Sequence, residues 1–238
     1  MASILDRYGI KEVADVTFYK LDAAGKPAYP VLYLDTLKVS TIEQTAEQAE
    51  ARGGKGNPPL IIWDYGKEIN VTLEDALFSA KSMAIMFGNG TVAEASSVKK
   101  TVQFRGNNKP NSWTAPNGKE YTISDAKCYD GAGKEATEFV EGEVYFCTFD
   151  VAVAGSVIEI SANSFPGTYY VVGDTYARSE ITGRDEFFQF IIQKAKVQSE
   201  NTITLEAEGD PSVFNMNLRV MRPADGKMMK LVKYDVAE

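Results

Sequence analysis

The fold of this chain is decided by the stretch Leu60-Ile-Ile-Trp-Asp-Tyr-Gly-Lys-Glu-Ile-Asn-Val-Thr-Leu73, whose regular alternation predicts one long strand. Successive side chains of a strand point to opposite faces, so one predicted face is apolar and the other is polar and acidic. The apolar face holds Ile61, Trp63, Tyr65, Ile69, Val71 and Leu73, and the polar face holds Asp64, Gly66, Glu68, Asn70 and Thr72. Asp64 and Glu68 are therefore predicted to share one exposed face.

The segment before this strand, Thr41 to Arg52, is polar on both parities. One interpretation is an extended arm that lengthens the strand running from Val31 to Val39. Such an arm has no apolar face for its own core to hold, so partner copies would have to order it. The other interpretation is a helix, because Thr41-Ile-Glu-Gln44 fits a capping box and Glu43 and Glu47 have helical spacing. The residues alone leave both open.

Between the two segments, Gly53-Gly-Lys-Gly-Asn-Pro-Pro59 predicts a mobile, exposed turn. It lacks the spacing of a phosphate-binding loop, because Gly56 follows Lys55 where a Ser or Thr is required. We therefore predict a long β-hairpin over about 31–73. A helix is predicted to follow over about 73–87, capped by Thr72 and ended by Gly88, with an apolar stripe from Leu73 to Phe87.

After Gly90 the chain consists of short alternating runs separated by Gly, Pro and Asn, which is typical of a β-sandwich or barrel. The runs are Val98–Phe104, Glu120–Ile123, Glu143–Ala152, Val157–Ala162, Tyr169–Val172, Asp185–Gln193, Ile203–Glu208 and Phe214–Met221. The predicted fold class is mostly β, a β-sandwich or partial barrel with a long hairpin and one flanking helix. No linker divides it, so residues 1–238 are predicted to be a single domain with the sandwich over about 91–234.

Composition excludes several functions. The net charge of −8 argues against binding a phosphate backbone, which needs a surplus of Lys and Arg. The absence of histidine removes His-dependent triads and zinc sites. No apolar leader or membrane span is present, so the protein is expected to be made and used in the cytosol, or to be carried out of the cell inside a larger particle. Cys128 and Cys147 lack metal-ligand spacing and are expected to be reduced core thiols.

No catalytic, metal or cofactor site is predicted. Carboxylate pairs such as Glu206 and Glu208 are predicted to lie along one strand face beside solvent. This indicates solvated surface side chains rather than the catalytic carboxylate pair of a glycosidase. Trp113, on a polar Asn/Pro loop, is a candidate for stacking on sugars, although partial burial is the commoner role of such a residue.

Two segments resemble the major tail tube proteins of long-tailed bacteriophages of Gram-positive bacteria and of related phage-tail-like particles. The first is Ala51-Arg-Gly-Gly-Lys-Gly-Asn-Pro-Pro-Leu-Ile-Ile-Trp-Asp-Tyr-Gly-Lys-Glu-Ile-Asn-Val-Thr-Leu-Glu-Asp-Ala76. The second runs from Val172-Gly-Asp-Thr-Tyr-Ala-Arg178 to Asp185-Glu-Phe-Phe-Gln-Phe-Ile-Ile192. It continues with Ala207-Glu-Gly-Asp-Pro-Ser-Val-Phe-Asn-Met-Asn-Leu218 and ends with Met228-Met-Lys-Leu-Val-Lys-Tyr234.

The resemblance implies a structural virion protein of the tail, assembled in the host cytoplasm, whose hexameric rings stack into a tube for DNA ejection. It favours the extended form of Thr41 to Arg52, because the hairpins of the ring join into a barrel that lines the lumen. Its implied partners are further copies, the tape-measure protein, DNA that passes without specific binding and, in contractile tails, a sheath. The rival hypothesis is a baseplate or distal-tail sugar-binding β-sandwich, for which Trp113 would be the anchor.

The residues assigned to each role follow from this resemblance together with the strand parity. We expect Asp64 and Glu68 to face the lumen, supplemented by Glu43 and Glu47 or by Glu50, depending on the register of the arm. We expect the turn to be a ring-stacking loop formed by Arg52, Gly53, Gly54, Lys55, Gly56 and Asn57.

Overall fold

The computed structural model describes residues 7–88, 90–123, 125–203 and 212–234, which form two compact units. Unit 2 is residues 92–157, and unit 1 is the chain before and after it. The predicted fold class is confirmed, because the chain is mostly β and its antiparallel sheets are not closed into a barrel, consistent with a β-sandwich. The assignment of the whole chain to one tail-tube-like domain stays a prediction.

Unit 1 is built on a nine-stranded antiparallel sheet. Its strands are β1 (Tyr8–Ile10), β2 (Asp15–Leu21), β3 (Pro27–Leu34), β4 (Leu37–Arg52), β5 (Pro59–Asp75), β11 (Thr168–Ser179), β12 (Asp185–Val197), β13 (Phe214–Val220) and β14 (Met229–Tyr234). The spatial order is β3-β2-β11-β12-β13-β5-β4, with β1 paired to β11 and β14 paired to β12.

Period-2 alternation gives this sheet one buried face. Val16 and Phe18 on β2, Val171 on β11 and Ile192 on β12 are fully buried, and they lie in one core cluster with Val71 and Leu73 of β5. We call this face of the sheet the core-side face and the other the open face.

The single described helix, α1 (Ala80–Phe87), begins later than predicted. Leu73 and Asp75 continue β5, where they pair with Met216 and Phe214 of β13. Sheet pairing thus outweighs the weak helix propensity of these residues, and the prediction that Thr72 caps the helix is wrong. Ser79 is the N-cap instead and forms a capping box with Ser82.

Unit 2 contains a three-stranded sheet in the order β6 (Ala93–Arg105), β10 (Val144–Val157), β9 (Lys127–Tyr129), and a hairpin of β7 (Ser112–Thr114) and β8 (Glu120–Thr122). The prediction of reduced thiols is wrong here, because Cys128 and Cys147 form a disulfide. They lie directly opposite each other on β9 and β10 with Cα atoms 4.0 Å apart, so strand register brings together two cysteines that are distant in sequence.

Two of the predicted strands have a different outcome. Val157 is the last residue of β10, and residues 158–162 form no strand. From residue 204 onward, the strand predicted at Ile203–Glu208 lies outside the described residues, and so do its carboxylates Glu206 and Glu208.

Candidate assembly surface

The most unusual element of unit 1 is the hairpin of β4 and β5, whose strands are 16 and 17 residues long. Ordinary strands have about five or six residues. The Thr41 to Arg52 arm is therefore a strand, as the extended interpretation predicted, and the helical one is wrong. The predicted Val31–Val39 strand is wrong, because β3 ends at Leu34 and the arm belongs to β4, which begins at Leu37, so the hairpin does not include residues 31–34. One edge of the β4 backbone pairs with β5, from Leu37 opposite Asp75 to Arg52 opposite Pro59.

Most of this hairpin has no neighbouring strand. β13 pairs with β5 only from Asn70 to Asp75, and β4 is the last strand of the sheet. Within the described residues, the outer edge of β4 and the outer edge of β5 before Asn70 are unpaired. Such edges expose rows of N–H and C=O groups that can accept another strand.

The other end of the same sheet is protected. The edge strand there, β3, carries Pro27 and Pro30, and proline cannot donate a ladder hydrogen bond. Residues 39–51 of β4 contain neither proline nor lysine, the residues that commonly block an edge. The chain therefore blocks strand addition at one end of its sheet and permits it at the other.

A β-bulge divides the hairpin into two halves. Thr45 lies opposite Glu68, whereas Glu47 lies opposite Tyr65, so Ala46 alone faces both Gly66 and Lys67. Gly66 has φ +62°, a left-handed conformation that glycine adopts without steric cost. Because β5 has one extra residue here, its residues between the bulge and the turn lie on the faces opposite to those that simple alternation predicts.

The bulge overturns the predicted sharing of faces. In the inner half of the hairpin, between the bulge and Asp75, Ile69, Val71 and Leu73 are buried on the core-side face, and Glu68 lies on the open face. In the outer half of the hairpin, between the bulge and the turn, Trp63 and Tyr65 lie on the open face and Asp64 lies on the core-side face. The prediction that Asp64 and Glu68 share a face is therefore wrong, and so is the prediction that Trp63 and Tyr65 share the face of Val71.

The five candidate lumen residues consequently divide between the two faces. Glu43 and Glu47 lie on the open face with Glu68, since their partners in the ladder are Asn70 and Tyr65. Glu50 and Asp64 lie on the core-side face. Their contacts agree with this division, because the Gln48 amide donates to Asp64 over 2.9 Å and Glu50 accepts from Arg52 over 2.6 Å.

The open face of the inner half is polar and continues onto β13. Arg219 contacts Glu68, and the Thr72 hydroxyl donates to the Asn217 side chain over 3.1 Å. Farther along this face Asp15 lies opposite Asp174, and the Asp15 carboxylate, which accepts from the Tyr33 hydroxyl, raises the pKa of that phenol. The open face of the inner half is thus polar and hydrogen-bonding, with the acidic side chains Glu43 and Glu68 on the hairpin.

The open face of the outer half is mainly apolar instead, with Glu47 as its charged residue. Ile61, Trp63 and Tyr65 form a row on β5, and each is 52% exposed. Opposite Ile61 and Trp63 on β4 stand the small residues Ala51 and Ala49. We call Ile61, Trp63 and Tyr65 the aromatic strip.

The predicted ring-stacking loop closes the hairpin in a tight turn. Gly54, Gly56 and Asn57 all have positive φ, and the Asn57 N–H donates to the Gly54 carbonyl over 3.2 Å. Gly53 and Lys55 complete the loop, whereas Arg52 is the last residue of β4. A role in stacking stays a prediction.

Trp113 does not form an exposed platform. It is half-buried and stacks on Tyr121 with ring centroids 5.7 Å apart, while Lys100 lies over its ring. The described residues contain no cluster of three or more Asp, Glu, Cys or His side chains that could hold a metal. No helix in the described part of the chain is long and apolar enough to cross a membrane.

Two comparisons with known proteins agree with this geometry. The model of the YomU/Tube protein family matches residues 8–233. The tail tube protein of Bacillus phage SPR is 32% identical to this chain over 90 residues, which are 38% of this chain and 32% of that relative. The matched segment thus spans about a third of the curated relative. The resemblance to phage tail tube proteins is confirmed, and the chain belongs to the YomU/Tube protein family.

Proposed function

We propose that this chain is the structural subunit of a phage tail tube, in which six copies form a ring and the rings stack. The observation that supports this most is the long hairpin, whose β4 edge and whose β5 edge before Asn70 have no partner strand among the described residues. An isolated two-stranded ribbon is marginally stable in water, so a ribbon of this length needs neighbours. The family membership supports a structural role rather than an enzymatic one.

Ring formation follows from pairing these edges. When all hairpins of a ring point the same way, β4 of one copy lies beside β5 of the next in antiparallel orientation. Repetition around a symmetry axis closes the ribbons into a barrel and leaves no free edge. The number six comes from the resemblance and not from the strands themselves.

The division of the acidic side chains between the two faces then decides which of them would line the channel. The core-side face of the hairpin continues the face that packs on the core of unit 1, so the open face is the one directed toward the axis. Glu43, Glu47 and Glu68 would line the channel, while Glu50 and Asp64 would not. An acidic wall repels phosphates, which suits DNA and a tape-measure protein that must move without being held.

Electron microscopy of the purified chain tests this proposal. We expect rings with a central channel and, at higher concentration, hollow tubes, with matching fast-sedimenting species. A chain that stays monomeric at every protein and salt concentration would refute the proposal.

Proteolysis at the loop gives an independent prediction. Lys55 is exposed between Gly54 and Gly56, so trypsin should cut after it in the monomer. Stacking should cover the loop and protect it in the tube, whereas Lys119, in the β7–β8 turn of unit 2, serves as the reference site. Equal cutting after Lys55 in both forms would remove the loop from the stacking contact.

A further inference from the structure

The two ends of unit 2 meet in a single ladder pair. Ala93, at the start of β6, lies directly opposite Val157, at the end of β10, so the chain enters and leaves this unit at points about 5 Å apart. Residues 93–97 and 152–157 form a two-stranded ribbon, which we call the stem, and none of its residues is buried. Termini that lie close together are what allows one domain to be inserted into another.

Unit 2 also has a hydrophobic core of its own. Tyr145, Cys147 and Phe149 of β10 belong to a buried cluster that shares no residue with the buried cluster of unit 1. A core of this size seldom stabilises a small domain alone, and disulfides commonly supply the rest. The disulfide between Cys128 and Cys147 lies within this cluster. Unit 2 thus contains what a small domain needs to fold by itself.

The edges of the three-stranded sheet are protected against strand addition. One edge strand, β6, carries Lys99 and Lys100 in its middle. The other, β9, is only three residues long. Edge lysines and very short edge strands are common ways of preventing a sheet from pairing with another chain. Residues 39–51 of β4 have neither lysine nor proline, so the edge suited to a neighbouring copy belongs to unit 1.

We infer that unit 2 is an independently folding insert that takes no part in the contacts between copies, so that unit 1 alone builds the rings and tubes. The inference rests on the proposed function. It divides the chain that the sequence predicts as a single domain over residues 1–238 into a tube-forming domain and a second domain inserted in it.

The disulfide then belongs to the insert and not to the tube. Reducing compartments keep thiols open, and the chain should assemble there with unit 2 unlinked. A low-molecular-weight disulfide can close the bond afterwards by exchange, which joins the two cysteine sulfurs and reduces the reagent to two thiols that take up both protons. Tube formation should therefore not depend on the redox state of Cys128 and Cys147.

Replacing residues 94–156 with Asn-Gly tests the inference. Asn-Gly forms the two-residue turn that joins directly paired strand residues, so Ala93 and Val157 keep their pairing. By electron microscopy this deletion variant should form rings and tubes at a concentration within about threefold of that of the wild-type chain.

The matched control makes the same kind of excision in the β4–β5 hairpin. Glu47 and Tyr65 are also direct ladder partners, so replacing residues 48–64 with Asn-Gly removes the outer half of that hairpin. This control should form neither rings nor tubes at the wild-type concentration. Circular dichroism shows whether each variant is folded.

Calorimetry of the full-length chain, below the concentration of assembly, tests independent folding without removing a residue. We expect two unfolding transitions. Dithiothreitol should lower only one of them, by about 10 °C or more, and Gly173→Ala, in the sheet of unit 1, should lower only the other. The double variant Cys128→Ser and Cys147→Ser should unfold like the reduced chain and still form tubes.

The outcomes separate the inference from the proposed function. A folded deletion variant that forms no tubes would show that unit 2 supplies a contact, which would overturn the inference and leave the tube function intact. A single transition that shifts as a whole on reduction would overturn it too, and this measurement decides if the deletion variant does not fold. If the wild-type chain forms neither rings nor tubes, the proposed function itself fails.

Discussion

Tubes of the double variant Glu43→Lys and Glu47→Lys should bind a short fluorescent duplex DNA that wild-type tubes do not bind. Both glutamates are exposed on the open face of the hairpin, and each substitution changes the local charge by two units in every copy. Clustered lysines bind phosphates by releasing counterions, so the affinity should fall steeply as salt rises. Fluorescence anisotropy at several salt concentrations measures both the binding and its slope.

The matched control is the double variant Glu50→Lys and Asp64→Lys, which makes the same charge change on the core-side face of the same hairpin. These side chains are also exposed in the single chain, and losing their surface contacts to Arg52 and Gln48 should cost little stability. We expect this variant to bind DNA much more weakly than the first. Equal binding by both variants would show that the open face does not form the channel wall.

Gly173→Ala should be among the most destabilising small substitutions in unit 1. Gly173 lies directly opposite Phe190 on β12, and a Cβ at this position would meet the Phe190 ring at 2.1 Å. Because Phe190 is buried in the core, the ring has little room to move away. We expect the free energy of unfolding to fall by about 1–3 kcal/mol, as for other overpacked cores, measured by urea denaturation.

Gly9→Ala is the control for this prediction. Gly9 also lies in a strand of the same sheet, but a Cβ there would have no atom within 4 Å. Its effect should stay within about 0.5 kcal/mol. Combining Gly173→Ala with Phe190→Leu should cost less than the two single changes added together, because the smaller side chain relieves the clash. Full additivity would locate the strain elsewhere.

The hairpin could be predicted from sequence because its signals are local. Alternation from Leu60 to Leu73 identified β5, and the glycines and prolines from Gly53 to Pro59 identified the turn. The faces could not be predicted beyond the bulge, since counting by twos assumes that no residue is inserted. The only local sign was Gly66 itself, a glycine inside a strand that is otherwise rich in aromatic and β-branched residues.

The other wrong predictions also arise because the deciding contact is with a partner strand elsewhere in the chain. The start of α1 was misplaced because Leu73 to Asp75 fit a helical stripe equally well, and only pairing with β13 keeps them extended. The disulfide was missed because nothing near Cys128 reveals that its strand lies opposite Cys147. In each case the deciding neighbour is far away in the sequence.

The bulge also determines which genetic changes can alter this surface. A substitution replaces one side chain on one face and leaves all the others where they are. Loss of a single residue at Gly66 or Lys67 would leave one residue opposite Ala46, so Tyr65 would stay opposite Glu47, and Trp63 and Asp64 would keep their present faces. A three-nucleotide deletion at this point would therefore leave the chemistry of both surfaces in place, whereas the loss of one residue elsewhere in the outer half of β5 would exchange the faces of the residues beyond it.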